Sequence, residues 1–307
     1  MIIQSAKLNW KGVLLWSNQF YGICAVLLSV ESTLFIKHVY PSFTSLLLIH
    51  LSTVLFYTHS YLKEYKEGIY NERTNWYQSN KRYLQLRQLG FSLLCLYLAL
   101  FKLNALSLLN NASLLVKAVA LFALILSITY YIPFNLFTRL KPFRKVGIFK
   151  SIGIALVWSI VCCFIPVWLT NPNVIDEMNF DSIFWVHFFQ IFAYILILAV
   201  LFDIKDLNRD KEEFVNTIVV KYGTYQTINK IIPPLYAIYF LLILLEFKIN
   251  SLSYVYWVLQ LSLVGLTYII SQKVVKQQSI HANILMIDGL MIIKAILSIL
   301  VLNMVIH

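Results

Sequence analysis

The sequence predicts an all-α membrane protein, a polytopic helical bundle of about nine transmembrane helices with its N-terminus in the cytoplasm. Of its 307 residues, 60% are hydrophobic and only 13% are charged, whereas about a quarter of residues are charged in a typical soluble domain. The mean hydropathy is +0.74. Apolar residues occur in runs of about 20, the length that crosses a roughly 30 Å hydrocarbon core as an α-helix. Because lipid cannot satisfy open backbone polar groups, each run is expected to be helical.

The apolar runs place nine spans along the chain. In order, they cover residues 13 to 36, 43 to 62, 89 to 109, 112 to 132, 147 to 169, 183 to 202, 229 to 247, 252 to 271 and 284 to 305. No polar run between them is long enough to fold separately, so residues 1 to 307 are expected to form a single integral-membrane domain. The N-terminal residues lead into the first span without a small-residue cleavage site, so we expect no removable signal peptide.

The chain has a net charge of +11, and its basic residues are concentrated in every second loop. Most lysines and arginines fall in residues 1 to 12, 63 to 88, 133 to 150, 203 to 230 and 272 to 281, whereas the alternate loops hold only Lys37, Lys102 and Lys248. The positive-inside rule places the basic loops in the cytoplasm and, with nine spans, the C-terminus outside. We expect a protein of the bacterial cytoplasmic (inner) membrane. Its active face is expected on the cytoplasmic side, because the long loops lie there. Nucleic acid is not an expected partner, because topology accounts for the basic surplus.

Several reactive or charged side chains fall inside spans. The cysteines lack the spacing of metal ligands and are expected to pack among apolar side chains; they are Cys24, Cys95, Cys162 and Cys163. Charges are unfavourable in lipid. We expect Glu31 and Lys117 to extend outward to the membrane surface, and Asp288 and Lys294 to make contacts between helices.

Six charges directly follow the sixth span, in residues 203 to 211, here named the acidic segment. If the helix continued through this segment, Asp203, Asp206 and Asp210 would lie on neighbouring turns of one face. Crowded carboxylates repel one another unless a cation lies between them, and Mg²⁺ bridges carboxylates to substrate phosphates. The alternative is a solvated helix end whose charges pair along the helix.

The acidic segment resembles the second aspartate-rich motif of the UbiA superfamily of intramembrane prenyltransferases. In that family a D-x-x-D-x-x-x-D-like stretch precedes a K-T-L-P-x-x-x-G-like stretch; here DIKDLNRD at 203 to 210 precedes NTIVVKYG at 216 to 223. The sequence YYIP at 130 to 133, followed by the basic residues of 139 to 145, resembles the family's Y-x-x-P and K/R connection. Nine helices with a cytoplasmic N-terminus are also the family topology.

The family's first motif, N-D-x-x-D-x-x-x-D, is expected where the second span reaches the cytoplasm. That stretch reads FYTHSYLKEYKE at 56 to 67 and contains no aspartate. Thr58 and His59 stand in place of the Asn-Asp pair, and Glu64 is offset from the later acidic positions. These three residues are the candidate replacements for the first motif.

The resemblance implies Mg²⁺-dependent transfer of a prenyl group from an isoprenyl diphosphate to an aromatic or other lipophilic acceptor in the bilayer. It implies that Asp203, Asp206 and Asp210 bind the metal ion, with Asp206 and Asp210 as catalytic residues. The candidate contacts of the diphosphate are the nearby cations Lys205, Arg209, Lys141, Arg144 and Lys145. The basic residues of 139 to 145 are as readily interpreted as a group that touches anionic lipid.

Two other functions remain open. Loss of the first motif favours a catalytically impaired family member that binds an isoprenoid or lipid without transferring it. A small-molecule transporter fits the hydropathy as well, although the chain has only 9 glycines and lacks the paired, Gly/Pro-interrupted spans that mark transport sites.

Overall fold

A computed structural model describes residues 12–63, 72–131, 147–170, 180–212, 214–249, 254–274 and 280–306. The regular secondary structure of these residues is helical throughout. The α-helices are α1 (Gln19–Lys37), α2 (Phe43–Lys63), α3 (Glu72–Ser79), α4 (Lys81–Tyr97), α5 (Ala105–Asn111), α6 (Leu114–Tyr131), α7 (Ile148–Ser159), α8 (Ile165–Thr170), α9 (Ser182–Lys205), α10 (Leu207–Glu212), α11 (Ile218–Gln226), α12 (Ile232–Ile249), α13 (Tyr254–Val274), α14 (Ile280–Ile287) and α15 (Gly289–Ile306). Short π-helical segments occur at Gly12–Trp16, Leu98–Lys102, Ile160–Phe164 and Thr227–Ile231.

Seven helical stretches among the described residues are long and apolar enough to cross a membrane. They are Gln19–Lys37, Lys81–Lys102, Phe149–Thr170, Ser182–Lys205, Ile218–Ile249, Tyr254–Lys273 and Ala282–Met304. Two shorter apolar stretches are Phe43–His59 and Leu114–Tyr130. The expected all-α class is confirmed for the described residues, and the seven apolar stretches indicate an integral membrane protein.

The surface of α4 shows the side-chain pattern of a helix in contact with lipid. Leu86, Leu89, Leu93 and Leu96 are all exposed, and their spacing of three or four residues places them on one face. A continuous exposed apolar face is rare on soluble monomers. Lipid would cover it without leaving a polar group unsatisfied.

The chain forms two compact units. Unit 1 comprises residues 1–26 and 42–111, and unit 2 comprises residues 27–41 and 112–307. In unit 1, α2 packs against α3 and α4. In unit 2, the long helix α9 packs against both α7 and α12, and α13 packs against α12 and α15.

Helix α9 is the central helix of unit 2 and carries the acidic segment at its end. Its start is fixed by Asp181, whose carboxylate accepts a hydrogen bond from the Phe184 backbone N–H at 2.9 Å, which satisfies one of the unpaired donors of the first turn. The helix ends at Lys205. Asp206 leaves the helical conformation, with φ −87° and ψ 8°, before α10 begins at Leu207.

A close backbone approach brings the start of α7 to the segment that precedes α11. Gly147 has φ +38°, and a Cβ atom there would overlap the carbonyl oxygen of Asn216. The adjacent Thr217 caps α11 by accepting a hydrogen bond from the Val220 N–H at 3.3 Å. Because Lys150 lies in the first turn of α7, this approach directs it toward the acidic segment.

The expectation that Glu31 extends to the membrane surface is wrong. Glu31 is fully buried and forms an ion pair with the buried Lys294 of α15. An opposite charge on a neighbouring helix therefore compensates for the removal of Glu31 from bulk water. The expected contact of Lys294 between helices is confirmed.

Candidate functional site

The acidic segment does not continue α9 as one helix face. The break at Asp206 turns the chain, so that Asp203 and Asp210 are each only 2% exposed, whereas the Asp206 side chain is 33% exposed. The helix does not continue through Asp206, so the condition under which all three carboxylates would share one helix face is not met. Two of them point into unit 2, and the third stays at the surface.

Lys150 joins the two buried carboxylates. Its Nζ atom lies 3.0 Å from Asp203 Oδ1, and it donates to Asp210 Oδ1 at 3.0 Å and Oδ2 at 2.9 Å. Ser151 Oγ donates to the remaining oxygen, Asp203 Oδ2, at 2.6 Å. All four carboxylate oxygens thus accept a hydrogen bond or ion pair from α7, and we name these four residues the lysine clamp.

Electrostatics within the lysine clamp are set by burial and by the single ammonium group. Burial raises the pKa of Asp210 to about 6, and the nearby Lys150 opposes that rise. Two buried carboxylates share one cation, so the clamp carries a surplus of negative charge when both are ionised. It is a site for a cation, and Lys150 supplies that cation from within the chain.

The cations of the acidic segment lie outside the clamp. Lys205 is 3.9 Å from Asp206, and its ammonium group lies 5.0 Å from the centre of the Phe202 ring. Arg209 is half-buried in α10. Three other predicted diphosphate contacts, Lys141, Arg144 and Lys145, lie outside the described residues, as does Glu64.

Magnesium ions, which the family resemblance implies, do not fit the lysine clamp as it stands. A divalent ion needs carboxylate oxygens that are free to coordinate it, and here Lys150 and Ser151 engage all four oxygens of Asp203 and Asp210. No group of three or more His, Cys, Asp or Glu side chains in the described ranges is arranged to hold a metal ion. Magnesium binding remains a prediction, and it requires Lys150 to move away.

Two of the three predicted first-motif residues, Thr58 and His59, lie in unit 1 on α2. Thr58 is fully buried, and its hydroxyl oxygen accepts from Asn18 Nδ2 at 3.1 Å and from Arg87 Nη2 at 3.2 Å. His59 is exposed. The structure therefore places Thr58 in a hydrogen-bonded group and leaves His59 at the surface.

Thr58 belongs to a group built around two guanidinium side chains. Arg73, on α3, is 6% exposed; it donates to Asn18 Oδ1 and, at 2.9 Å, to the Tyr61 hydroxyl. Asn18 also donates to the Tyr77 hydroxyl at 2.9 Å. The group, named the arginine cluster, consists of Asn18, Thr58, Tyr61, Arg73, Tyr77 and Arg87.

The arginine cluster carries two positive charges, and no side chain that the structure describes places a carboxylate against them. The ionisable groups acting on Arg73 and Arg87 there are tyrosines, and burial raises the pKa of Tyr77, which keeps that hydroxyl neutral. The Nε atoms of Arg73 and Arg87 are buried, and neither has a hydrogen-bond partner among the described residues. Because guanidinium groups bind phosphate through parallel N–H donors, the cluster is suited to an anion.

Comparison of the chain with models of protein families, with curated proteins and with solved structures finds no match.

Sequence reasoning missed the three cationic residues of these groups. Lys150 ends a basic loop in the sequence, although its place at the start of an apolar run indicates that it needs a partner. Arg73 lies in a polar stretch and carries no local pattern that distinguishes it from a solvated arginine. Arg87 lies just before an apolar run, where an ordinary topology charge is equally expected.

Proposed function

We propose that the protein binds an isoprenyl diphosphate in the membrane and holds the diphosphate group directly with Arg73 and Arg87. The observation that carries the proposal is the pair of guanidinium groups in the arginine cluster, against which no described side chain places a carboxylate. In the family that the sequence resembles, the position of Thr58 belongs to a motif that holds cations. That motif is negatively charged, whereas the arginine cluster to which Thr58 belongs includes two positively charged guanidinium groups. The positive charge favours direct contact with an anion.

The wider architecture that we propose is UbiA-like. The seven long apolar stretches and the two shorter ones, Phe43–His59 and Leu114–Tyr130, overlap the nine spans expected from the sequence. We propose that all nine cross the membrane, with the N-terminus and the diphosphate-binding face in the bacterial cytoplasm.

Transfer of the prenyl group to a lipophilic acceptor is the second candidate function. It is favoured by Asp206, the one carboxylate of the acidic segment that remains partly exposed. In such a transfer the allylic C–O bond breaks and the electron pair leaves with the diphosphate. Guanidinium groups placed at that anion would stabilise the developing charge.

The test is calorimetric titration of the purified full-length protein with farnesyl diphosphate in the presence of EDTA. We expect binding without added Mg²⁺, and about tenfold or greater weakening in Arg73→Gln and in Arg87→Gln, since a hydrogen bond to a charged group contributes about 1.5 to 3 kcal/mol. Arg82→Gln is the matched control, because Arg82 is exposed on the same helix as Arg87. Farnesol and inorganic diphosphate separate the contributions of the tail and the anion.

Equal affinity in the two arginine variants and the wild type would contradict the proposed site. Binding that requires added Mg²⁺ would indicate that the aspartates of the acidic segment bind the diphosphate through the metal ion. Release of diphosphate in the presence of candidate phenolic acceptors would support transfer, and its absence together with tight binding would support the binder alone.

A further inference from the structure

Unit 2 contains a second group of ionisable side chains, buried far from the acidic segment. We name it the buried acid–base cluster; it consists of Glu31, Ser32, His187, Gln190, Tyr239, Glu246 and Lys294. Each of these is at most 2% exposed. On α9, His187 precedes Asp203 of the lysine clamp by sixteen residues, a separation of about 24 Å along a helix.

Two ion pairs form the cluster. Lys294 pairs with Glu31 Oε1, and His187 Nδ1 lies 2.8 Å from Glu246 Oε1. The other ring nitrogen of His187 lies 3.3 Å from Ser32 Oγ. The Phe35 ring stacks on the His187 ring at 4.3 Å between centroids, which fixes the orientation of the imidazole.

The cluster is continuous from one ion pair to the other. The Lys294 ammonium group lies 5.7 Å from the centre of the Tyr194 ring, and that ring is 5.5 Å from the Tyr239 ring. Tyr239 is within electrostatic range of both Glu31 and Glu246. His187, Gln190 and Tyr194 are spaced three and four residues apart and therefore share one face of α9.

Several polar atoms of the cluster have no hydrogen-bond partner among the described residues. They are Glu31 Oε2, Glu246 Oε2, Gln190 Oε1, Gln190 Nε2 and the Tyr239 hydroxyl. A buried polar atom left unsatisfied is unfavourable by about 1 to 3 kcal/mol, and buried polar groups are normally satisfied by protein or water. The set contains both donors and acceptors, which matches water, since a buried water typically makes two to four hydrogen bonds.

Charge balance determines how many protons the cluster holds. Glu31 and Lys294 neutralise each other, so a neutral His187 would leave the Glu246 carboxylate uncompensated inside the protein, which is strongly unfavourable. One additional proton on the His187–Glu246 pair restores neutrality. The geometry favours the imidazole as its holder, because each ring nitrogen then has an oxygen acceptor within reach. The other titratable groups that face the pair are Cys162, Cys163, Tyr194, Tyr239 and Tyr256, all of which are neutral when protonated.

We propose that the buried acid–base cluster is a proton- and water-binding site within the membrane part of unit 2. The His187–Glu246 pair holds one proton as an imidazolium–carboxylate pair, and internal water satisfies Glu31, Gln190, Tyr239 and the second oxygen of Glu246. Ionisable groups inside membrane helices commonly serve proton transfer. The site is independent of the proposed diphosphate site.

The proton is tested by ¹⁵N-histidine NMR of the full-length protein in lipid nanodiscs, using a variant that keeps His187 as its only histidine. The chain has 6 histidines, so the other five, His38, His50, His59, His281 and His307, are replaced in this variant. Near neutral pH we expect a doubly protonated His187 ring. Adding Glu246→Gln should convert it to the neutral ring, whereas Glu31→Gln should leave it protonated.

If the His187 ring is neutral in the single-histidine variant, which keeps Glu246, the proposal is overturned by that measurement alone. A ring that stays protonated after Glu246→Gln overturns it as well, because the carboxylate would then not hold the proton.

The water is tested by Gln190→Leu, an apolar replacement of similar size. If water satisfies the amide, the change removes hydrogen bonds and lowers the melting temperature in detergent; in a dry site it removes an unsatisfied polar group and raises the melting temperature. Gln78→Leu, at an exposed position of α3, is the control and should change it little. A Gln190→Leu variant more stable than the wild type overturns the hydrated site.

Discussion

At the residue scale, the lysine clamp shows how one side chain changes the chemistry of a motif. Three aspartates in the spacing of the acidic segment favour a divalent cation. Lys150 instead places an ammonium group against both buried carboxylates. The cation that Asp203 and Asp210 share is therefore covalently part of the protein.

Loss of one clamp carboxylate is expected to destabilise the fold. In Asp210→Asn, the buried Lys150 keeps only Asp203 as a charged partner, and we expect a loss of about 1 to 3 kcal/mol in the free energy of unfolding. Asp206→Asn is the matched control, and we expect a change below about 1 kcal/mol because Asp206 is partly exposed. Thermal unfolding in detergent measures both, and equal effects of the two changes would contradict the clamp.

A carboxylate at position 58 tests the arginine cluster with two effects of opposite sign. In Thr58→Asp the new carboxylate lies within reach of the Arg87 guanidinium and the Asn18 amide. We expect a higher melting temperature of the ligand-free protein, together with about tenfold or greater weakening of farnesyl diphosphate binding. Thr58→Asn, which adds no charge, should weaken binding much less; stronger binding by the aspartate variant would argue for a metal ion at this place.

The sequence predicts residue groupings better than it predicts partners. The three aspartates and the substitution at Thr58 are visible as motifs, because their spacing is local. Their partners Lys150 and Arg87 are 60 and 29 residues distant in sequence. One sequence contains no information that would pair residues so far apart, and the same reason explains the wrong expectation for Glu31.

At the element scale, the hydropathy runs locate helices but not their ends. The run at 229 to 247 belongs to a helical stretch that begins at Ile218 and bends at Gly223, where φ is +77° and ψ is 160°. Hydropathy reports where the side chains are apolar, whereas backbone hydrogen bonding continues the helix into polar residues. The break at Asp206 likewise separates α9 from α10 without any glycine or proline.

The close approach at the start of α7 gives an element-scale prediction. In Gly147→Ala the Cβ atom would overlap the Asn216 carbonyl oxygen, and positive φ adds conformational strain of about 1 kcal/mol or more. We expect a clearly lower melting temperature and, because α7 carries Lys150, a weakened lysine clamp. Gly90→Ala is the control, since that helical position has open space around it and alanine favours helix; equal melting temperatures for the two variants would contradict the close approach.

At the scale of the whole molecule, composition is sufficient for the helical class and for a membrane location. Both follow from the free energies of backbone hydrogen bonding and of transferring apolar side chains into lipid. Because these contributions are summed over many residues, an error at one position does not change the prediction. The division into two compact units was not predicted. The division depends on contacts between helices that are distant in sequence. Hydropathy locates the spans but does not indicate which of them pack together.

The last prediction concerns the side of the membrane on which the loops lie. Basic residues concentrate in alternate loops, so the positive-inside rule places Ser79 and Gln272 on one side and His38 on the other; all three are exposed. In a Cys95→Ser background, whose remaining cysteines are buried, single cysteines at these positions should react with a membrane-impermeant maleimide accordingly. In intact cells we expect labelling at position 38 alone, and labelling at all three positions after the membrane is opened. Labelling of positions 79 and 272 from opposite sides would require an odd number of crossings between them, which is incompatible with the nine-span arrangement.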